Sequence, residues 1–402
     1  MENIDRPDYI NKVEKLIGKG LIIALVGQRR VGKSFIMKQF INRISADNQN
    51  NIIYIDKDDE RFSFIRDHDE LTKYVAERLV SDKKNYLLVD EVQNIVDFEL
   101  SLRSFHTLES CEIIVTGSNA KILSSELSTY LSGRCIEIHV QSLDYTEFLV
   151  FHKLPDDNSS LVSYLNYGGM PQLNRIGLDD RELVTDYLNS VYNTIILKDV
   201  IERENIRNVP LLKNLVRFIA DNTGKPFSAN NIARYLKSQQ MGTSVKVIIS
   251  YLDYLCNAFI IRRVNRFNIH GKRLLEVNDK FYFEDIGLRN MLVQGGLAQS
   301  IEKVLENAVY LHLVRLGFDV TVGCLQKAEI DFVAKRGNKV VYVQAAYLLT
   351  STETVNREFG NLRMIHDNYP KYVVSMDDLY AETDYEGIIH LHLRKFLQMK
   401  EL

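Results

Sequence analysis

The sequence of 402 residues lacks most features that mark secreted, membrane-spanning or strongly basic proteins. None of its four cysteines belongs to a C-x-x-C pair, which favours reduced thiols over a disulfide framework or a zinc site. No apolar run reaches the roughly 18 residues that a membrane-spanning helix needs. The net charge of −3 excludes a general basic excess, so any signal for nucleic acid must be local. The isolated cysteines are Cys111, Cys135, Cys256 and Cys324.

Proline and repeated sequence are also scarce. The chain has six prolines and no internal repeat or low-complexity segment, so the linkers between domains must be short. The opening MENIDRPDYI is acidic and polar, unlike a secretory signal. We therefore expect a soluble, cytoplasmic protein without a membrane partner, and the length predicts two or three domains.

What the sequence does have is an alternation of short apolar runs and longer helical patterns between residues 21 and 138. Each run is rich in aliphatic and β-branched residues and is followed by glycine or polar residues, which predicts strands. Nearly continuous apolar strands separated by helices indicate an α/β fold whose parallel sheet is covered on both faces. The predicted strands are LIIALVG, NIIYID, YLLVDEV, EIIVTGS and CIEIHV.

The segment GQRRVGKS, residues 27–34, fits the phosphate-binding pattern G-x-x-x-x-G-K-[ST]. Gly27 and Gly32 allow backbone N–H groups to curl around phosphate oxygens, Lys33 neutralises the β- and γ-phosphates, and Ser34 reaches Mg²⁺. An apolar strand precedes the segment and a helical pattern follows it, as in a P-loop. The sequence therefore predicts a site for ATP and Mg²⁺.

The strand YLLVDEV predicts the carboxylates that complete such a site. Its four apolar residues place Asp90 at the carboxyl end of a buried strand, where a carboxylate can hold the Mg²⁺ shell. Glu91 beside it can polarise the attacking water. Glu91 therefore predicts hydrolysis and not binding alone.

Two further strand ends offer candidates with open alternatives. After IIVTG, either Ser118 or Asn119 is expected beside the γ-phosphate, or the pair forms a simple turn. Arg134, in LSGR, either completes the site of a neighbouring subunit as an arginine finger or pairs with a local carboxylate. The finger interpretation predicts a homo-oligomer such as a hexameric ring.

GQRRVGKS, YLLVDE, VTGSNA, and LSGR followed by SLDYTEFL resemble AAA+-type ATPases of the archaeal and bacterial clade close to the STAND NTPases. In that clade a helical lid follows, often with G-G-x-P near the nucleotide, and GGMP at 168–171 makes Gly169 and Pro171 lid candidates. The roles of Arg29 and Arg30 stay open between a subunit contact and a solvated position. The P-loop residues expected at the nucleotide are Gly27, Gln28, Arg29, Arg30, Val31, Gly32, Lys33, Ser34 and Phe35.

Residues 226–263 have helix-turn-helix spacing. Ser228 is expected to cap a first helix, and Thr243 or Ser244 a second. The strand pair FIIRRVNRF and KRLLEVNDKFYF then completes a winged-helix pattern. Thirteen lysines and arginines stand against three acidic residues between 203 and 273, an excess that suits phosphate contact, although winged helices also dock proteins. The expected DNA contacts are Arg262, Arg263 and Arg266.

The last hundred residues resemble the PD-(D/E)xK nuclease core. That resemblance implies a second divalent-metal site, with Glu306 on a helix, Asp331 in the strand EIDF and Gln344 in the next strand. The lysine expected two residues later is replaced by Ala346, and Lys339 or Lys371 can substitute only if the fold brings it in. The core is either a nuclease or an inactive docking domain.

The order of these parts resembles prokaryotic AAA-family ATPases with a C-terminal domain of unknown function. The resemblance implies a P-loop core at 1–140, a helical lid at 141–200, a winged-helix domain at 201–290, and an α/β restriction-endonuclease-like domain at 291–402. The resulting hypothesis is an ATPase that couples nucleotide state to DNA engagement. The alternatives are a STAND-like switch that docks a protein, and an ATP-gated metal-dependent nuclease.

Overall fold

The computed structural model divides the chain into two compact units, Met1–Gln141 with Asn257–Phe259, and Ser142–Cys256 with Ile260–Leu402. The structure describes residues 4–120, 133–325, 328–349, 351–378 and 383–402. None of the helices within those ranges is long and apolar enough to pass through a bilayer.

The first unit contains a five-stranded sheet in which all strands run parallel, in the order β2-β3-β4-β1-β5. Its strands coincide with the five apolar runs, which confirms the prediction of a parallel α/β sheet. Every residue of the interior strand β1, which lies between β4 and β5, is buried, as expected when both faces of a parallel sheet are covered. The strands are β1 Ile22–Val26, β2 Asn50–Asp56, β3 Lys84–Asp90, β4 Glu112–Gly117 and β5 Cys135–His139.

Amphipathic helices connect these strands. Alternate residues of β1, such as Ile22 and Ala24, share a core with Leu71 of α3 and Phe105 of α4. Parallel strands joined by helices place all their carboxyl ends at one edge of the sheet, where ligands bind in open α/β folds. The helices in the described part of this unit are α1 Pro7–Leu16, which precedes β1, and α2 Lys33–Ile44, α3 His68–Ala76 and α4 Phe98–Thr107, which follow β1, β2 and β3.

The second unit begins with helices, as its sequence pattern predicts. Asp144 opens the first with a reciprocal capping box to Glu147. Ser228 caps one predicted helix of the helix-turn-helix pattern, and the Ser244 hydroxyl accepts from the Val247 N–H in the other, which confirms these caps. The helices are α5 Tyr145–His152, α6 Asn158–Tyr167, α7 Leu173–Ile176, α8 Arg181–Thr194 with a π-helical continuation Ile195–Glu202, α9 Val209–Asp221, α10 Ala229–Ser238 and α11 Val245–Asn257.

The rest of the second unit is built on an eight-stranded mixed sheet of order β12-β13-β11-β10-β9-β8-β6-β7. Among its helices, α13 is buried along most of its length and contacts β7 to β10. The elements are β6 Ile261–Asn268, β7 Arg273–Phe283, α12 Ile286–Leu292, α13 Ile301–Arg315, β8 Asp319–Cys324, β9 Glu329–Arg336, β10 Lys339–Ala345, α14 Thr352–Arg363, β11 Lys371–Ser375, β12 Asp384–Tyr385, β13 Ile388–His392 and α15 Leu393–Phe396.

The sheet of the second unit contains strands from both sides of the predicted domain boundary between residues 290 and 291, so this boundary does not separate two domains. The hairpin β6–β7, predicted as the wing of a separate domain, pairs in parallel with β8 through Arg266 and Val322. The hairpin is therefore two strands of the C-terminal sheet. The sequence could not reveal this pairing, because the apolar pattern of a strand does not say which partner it joins.

Candidate functional site

The GQRRVGKS segment leaves the carboxyl end of β1 and opens α2. Gly27 lies so close to the chain that a Cβ there would be 2.2 Å from the Val140 carbonyl oxygen. Gly32, immediately before the helix, has a φ of 99°, a conformation that favours glycine. Both glycines of the motif are therefore required by the backbone path, in addition to any contact with phosphate.

Lys33 is buried at the first position of α2. Its ammonium donates hydrogen bonds to the carbonyl oxygens of Gly27 and Gln28, each at 2.9 Å. It also lies 3.9 Å from a carboxylate oxygen of Glu91. Lys33 thus holds the preceding loop by its carbonyl groups and faces the carboxyl end of β3. A P-loop that recognises phosphate requires a lysine at this position.

Arg6 and Tyr9, which the sequence reasoning missed, fasten this loop from outside the motif. The Arg6 guanidinium donates to the carbonyl oxygens of Val31 at 2.9 Å and Gln141 at 3.0 Å. The Tyr9 hydroxyl accepts from the Gln141 N–H at 3.2 Å. Arg6 is almost fully buried although it precedes the first helix, and its only sequence signal is an arginine next to an apolar helix face.

Asp90 ends β3 and is held by hydroxyl groups. Thr116 donates to one of its carboxylate oxygens, and Ser34 of the P-loop also hydrogen-bonds it. Burial raises the pKa of Asp90, against these two hydrogen bonds. A carboxylate and a hydroxyl side by side are the hard oxygen donors that Mg²⁺ prefers, so Asp90 and Ser34 fit the metal expected here.

Glu91 follows Asp90 in a left-handed conformation, with a φ of 54°, which turns its side chain back towards the loop. Its N–H donates to the Thr116 hydroxyl at 2.8 Å, and its carboxylate accepts from Ser118 at 3.2 Å and from Gln93. Burial alone would raise the pKa of Glu91, but Lys33 and Arg29 bring that pKa below its ordinary value. Glu91 is therefore held as a buried, ionised carboxylate.

The other residues predicted for this site have different surroundings. Ser118 contacts Glu91 and also accepts from Gln93 at 3.1 Å, which gives it a place in the site, and Asn119 is buried beside it. Arg30, in a left-handed conformation, and Arg134 are exposed, while Val31 is buried and Phe35 half-buried. Residues 121–132 lie outside the described part of the chain.

Gln28 is the P-loop residue with the least explained side chain. It is 2% exposed, and within the described ranges neither its amide nitrogen nor its amide oxygen has a hydrogen-bond partner. A buried carboxamide normally finds partners. This side chain therefore marks a polar position in the loop that a ligand could satisfy.

The GGMP segment has a packing role in the second unit. A Cβ on Gly169 would lie 2.1 Å from the Leu143 carbonyl oxygen, and the Gly169 N–H donates to Asp285 at 2.8 Å. A Cβ on Gly168 would similarly meet the backbone of Gly287 at 2.4 Å. The glycines permit this close approach, and Pro171 follows half-buried. Nucleotide contact by Gly169 or Pro171 stays a prediction.

The three arginines predicted to contact DNA are occupied within the second unit. Arg262 pairs with the buried Glu284. Arg263 pairs with Asp253 at 2.8 Å and with Asp279 at 3.7 Å. These partners lie on α11 and β7 or directly after β7, beside the hairpin, and the sequence spacing gave no sign of them. Arg262 and Arg263 therefore form ion pairs within the second unit, and Arg263 links the hairpin to α11 through Asp253.

Arg266, the third of these arginines, pairs with a carboxylate that belongs to a second group of charged side chains. Its guanidinium lies 3.6 Å from Glu329, at the start of β9. Lys280 of β7 also contacts Glu329, at 2.9 Å, together with Glu306 at 3.0 Å and Asp331 at 3.6 Å. We call Lys280, Glu306, Glu329 and Asp331 the Lys280 cluster. The prediction that Glu306 and Asp331 lie together is in agreement with this geometry.

The geometry of the Lys280 cluster does not fit the second metal site predicted for Glu306, Asp331 and Gln344. The Gln344 side-chain oxygen accepts from the Asp331 N–H at 3.3 Å, and the two carboxylates face an ammonium. Over the described ranges, no three His, Cys, Asp or Glu side chains are arranged to hold a metal ion. The prediction of a second metal site at Glu306, Asp331 and Gln344 is therefore wrong, because the Lys280 ammonium lies between the two carboxylates.

Neither lysine considered as a substitute for Ala346 reaches the cluster. Lys371 hydrogen-bonds the Asp367 carbonyl at 2.7 Å, and Lys339 contacts the Leu402 carbonyl at 3.4 Å. The lysine that does reach it, Lys280, lies in KFYF of the predicted wing. Its signal in the sequence is a charged residue two positions before Tyr282 in an apolar strand, hence on the same strand face.

Comparison with known proteins identifies the first unit by family. A family described as an AAA domain matches residues 19–149, and a domain of unknown function (DUF8612) matches residues 158–299. An uncharacterized protein of Haemophilus influenzae is 32% identical over 96% of both chains. An uncharacterized protein of Methanocaldococcus jannaschii is 29% identical, over 85% of this chain and 80% of that protein.

Among solved structures, a Walker-type ATPase of Pyrococcus abyssi is similar to this chain with a TM-score of 0.51. The two sequences are 17% identical, and the similarity covers 72% of this chain and 95% of that one. At this identity the similarity concerns the fold alone. It agrees with the parallel sheet and P-loop described above, and the first unit is an AAA-type P-loop domain.

Proposed function

The chain belongs to the same family as the uncharacterized Haemophilus influenzae protein, and for its AAA domain we propose hydrolysis of ATP. The observation that carries the proposal is the meeting of Lys33 and Glu91 at 3.9 Å in a buried setting. A P-loop that only bound nucleotide would need the lysine but not a second, ionised carboxylate beside it.

Each side chain of the site has a defined task in this proposal. Lys33 exchanges its backbone acceptors for the β- and γ-phosphate oxygens, with which it forms stronger, charge-assisted hydrogen bonds. Glu91 accepts a proton from the attacking water, and Ser118 and Gln93 hold its carboxylate in place. Ser34 and Asp90 would hold Mg²⁺, which supplies positive charge for the phosphates when it is bound.

The test is the rate of ATP hydrolysis by Glu91→Gln. We expect a loss of about 10²–10⁴-fold because the proton acceptor is gone, with ATP binding retained through Lys33. The matched control is Glu77→Gln, an exposed carboxylate of the same unit, which should leave the rate unchanged. Equal rates for Glu91→Gln and the wild type would overturn the proposal.

We further propose that nucleotide state is coupled to DNA through helices α10 and α11. The support is a group of exposed cations on and beside these helices. The arginines of β6 do not belong to this group, because each of them pairs with an acidic residue of the second unit. Exposed cations neutralise phosphates and release counterions, which gives salt-dependent affinity. The cations are Lys225, Arg234, Lys237 and Lys246.

DNA binding is tested with the triple variant Arg234→Gln, Lys237→Gln and Lys246→Gln. We expect weaker duplex binding and a shallower dependence of log affinity on log salt, by nearly one per lost contact. The matched control neutralises Lys73, which is exposed in the first unit. Unchanged affinity, together with no effect of DNA on the ATPase rate, would favour the switch that docks a protein.

Arg134 is proposed to complete the site of a neighbouring copy in a homo-oligomer, because it is exposed directly before β5. If so, hydrolysis per chain rises with protein concentration, and Arg134→Ala removes that rise. A specific activity that is flat across the concentrations where the protein assembles would contradict the finger.

A further inference from the structure

The Lys280 cluster joins three elements that are distant in sequence. Lys280 comes from β7, Glu306 from α13, and Glu329 and Asp331 from β9. The ammonium lies within 3.0 Å of two carboxylates and 3.6 Å from the third. Because Lys280 is 2% exposed, solvent does not supply an alternative partner.

Each carboxylate of the cluster also has a second donor from the chain. The Tyr282 hydroxyl donates to Glu306 at 2.6 Å, and the Ala345 N–H donates to Asp331 at 2.9 Å. The Arg266 guanidinium forms an ion pair with Glu329 at 3.6 Å. Groups that would otherwise be free to bind a ligand therefore already have protein donors.

Cations of the chain offset most of the negative charge of the cluster. Lys280 and Arg266 stand against Glu306, Glu329 and Asp331, which leaves one net negative charge when all are ionised. A divalent cation entering this centre would have to displace the ammonium and compete with it for the same oxygens.

We propose that Lys280 is the resident cation of a nuclease-like centre that does not take a divalent metal in the native chain. The ammonium occupies the position among the carboxylates where a metal would bind, and it links β7, α13 and β9. The ammonium, and not a metal ion, therefore holds Glu306, Glu329 and Asp331 together.

The first experiment measures Mn²⁺ binding to the full-length wild type by calorimetry without nucleotide. Asp331→Asn reports on the Lys280 cluster, and Asp90→Asn reports on the first unit. We expect any Mn²⁺ binding by the wild type to be unaffected by Asp331→Asn. Loss of a bound Mn²⁺ in Asp331→Asn, with its retention in Asp90→Asn, would overturn the proposal without any change at Lys280.

The second experiment replaces the ammonium. Lys280→Ala leaves three buried carboxylates without their cation, so we expect the melting temperature of the second unit to fall by ~10 °C. The double variant Lys280→Ala, Asp331→Asn, which removes one of the uncompensated carboxylates, should recover part of this loss. Lys280→Arg, which keeps the charge, should lose less. A Lys280→Ala protein that melts at the temperature of the wild type would contradict the role of the ammonium as the resident cation.

A DNA-cleavage assay separates the resident cation from a catalytic lysine. We expect no Mn²⁺-dependent cleavage by the wild type that depends on Asp331. Cleavage that is lost in both Lys280→Ala and Asp331→Asn would assign Lys280 a catalytic role and overturn the proposal. Neither outcome affects the hydrolysis of ATP, which is tested separately at Glu91.

Discussion

Each unit contains a buried lysine near carboxylates, but the two lysines have different partners. Lys33 donates two hydrogen bonds to neutral backbone carbonyls and lies 3.9 Å from Glu91. Lys280 lies within 3.6 Å of three carboxylates. Lys33 therefore has mainly neutral acceptors, with Arg29 as a second cation near Glu91, whereas Lys280 is surrounded by three carboxylates.

This difference separates a binding site from a structural one. A neutral carbonyl is a weak acceptor compared with a phosphate oxygen, so the acceptors of Lys33 can be exchanged for a ligand. The carboxylates around Lys280 bind it more strongly than an anionic or neutral ligand could, and water is excluded. Residue types alone do not distinguish the two centres, because each contains lysine, aspartate and glutamate.

The largest expected effects come from removing each lysine in turn. Lys33→Met should weaken ATP binding by about 10–100-fold, because charged hydrogen bonds to phosphate are lost, with a smaller fall in melting temperature than at Lys280, because a single carboxylate loses its partner. Lys280→Met should do the reverse and lower the melting temperature by ~10 °C. Calorimetric ATP titration and thermal unfolding of both variants measure the contrast. A loss of ATP affinity in both would erase the distinction between the centres.

Arg315 is a half-buried cation with two carboxylate partners, which allows a third comparison. Its guanidinium contacts Asp144 at 3.0 Å and Glu147 at 3.1 Å, at the capping box of α5. Arg315→Met should destabilise the second unit by about 3 kcal/mol, because two partly buried carboxylates lose their partner. Denaturant unfolding measures this. Arg315→Lys, which keeps one charge, should cost less, and equal costs would show that the charge is unimportant.

Gly169 tests whether the second unit contributes to nucleotide binding through GGMP. Gly169→Ala should cost about 2 kcal/mol in unfolding experiments, because its Cβ would collide with Leu143, and ATP affinity should stay unchanged. Gly360→Ala is the matched control: a Cβ at this helical position meets nothing within 4 Å, so it should be neutral or stabilising. A selective loss of ATP affinity in Gly169→Ala would support the lid prediction.

The smallest effect concerns the pH dependence of hydrolysis. Gln93 donates a hydrogen bond to ionised Glu91, so Gln93→Ala should raise the pKa of Glu91. The acid limb of the ATPase profile should then move to higher pH, by less than about one unit. Rates measured between pH 4 and 8 would detect it. An unshifted limb would mean that Gln93 does not tune the carboxylate.

The sequence predicts the first unit well because its signals are local. Five apolar runs define the sheet, and the spacing of Gly27, Gly32 and Lys33 fixes the loop between a strand and a helix. Asp90 and Glu91 follow from their place at a strand end. Arg6 and Thr116 could not be inferred, because their contacts with the site depend on which distant strands and helices become neighbours.

The second unit is predicted less completely for the same reason. The helix around Glu306 and the strands around Asp331 and Gln344 are correct, since each has its own apolar pattern. The partner of these carboxylates is not, because Lys280 is 26 residues away from Glu306 and belongs to a hairpin assigned to another domain. Side-chain pairing across a mixed sheet depends on strand order, which no local pattern encodes.

The pairing of β6 with β8 has a consequence for how the chain is made. The hairpin β6–β7 is synthesised before β8, so at that stage one edge of β6 is unpaired and Lys280 lacks its acidic partners. Unpaired edges invite association with other chains. One edge of β6 therefore stays exposed until residues 301–331 have been synthesised, and we expect a chain that stops at residue 290 to aggregate where the complete chain folds.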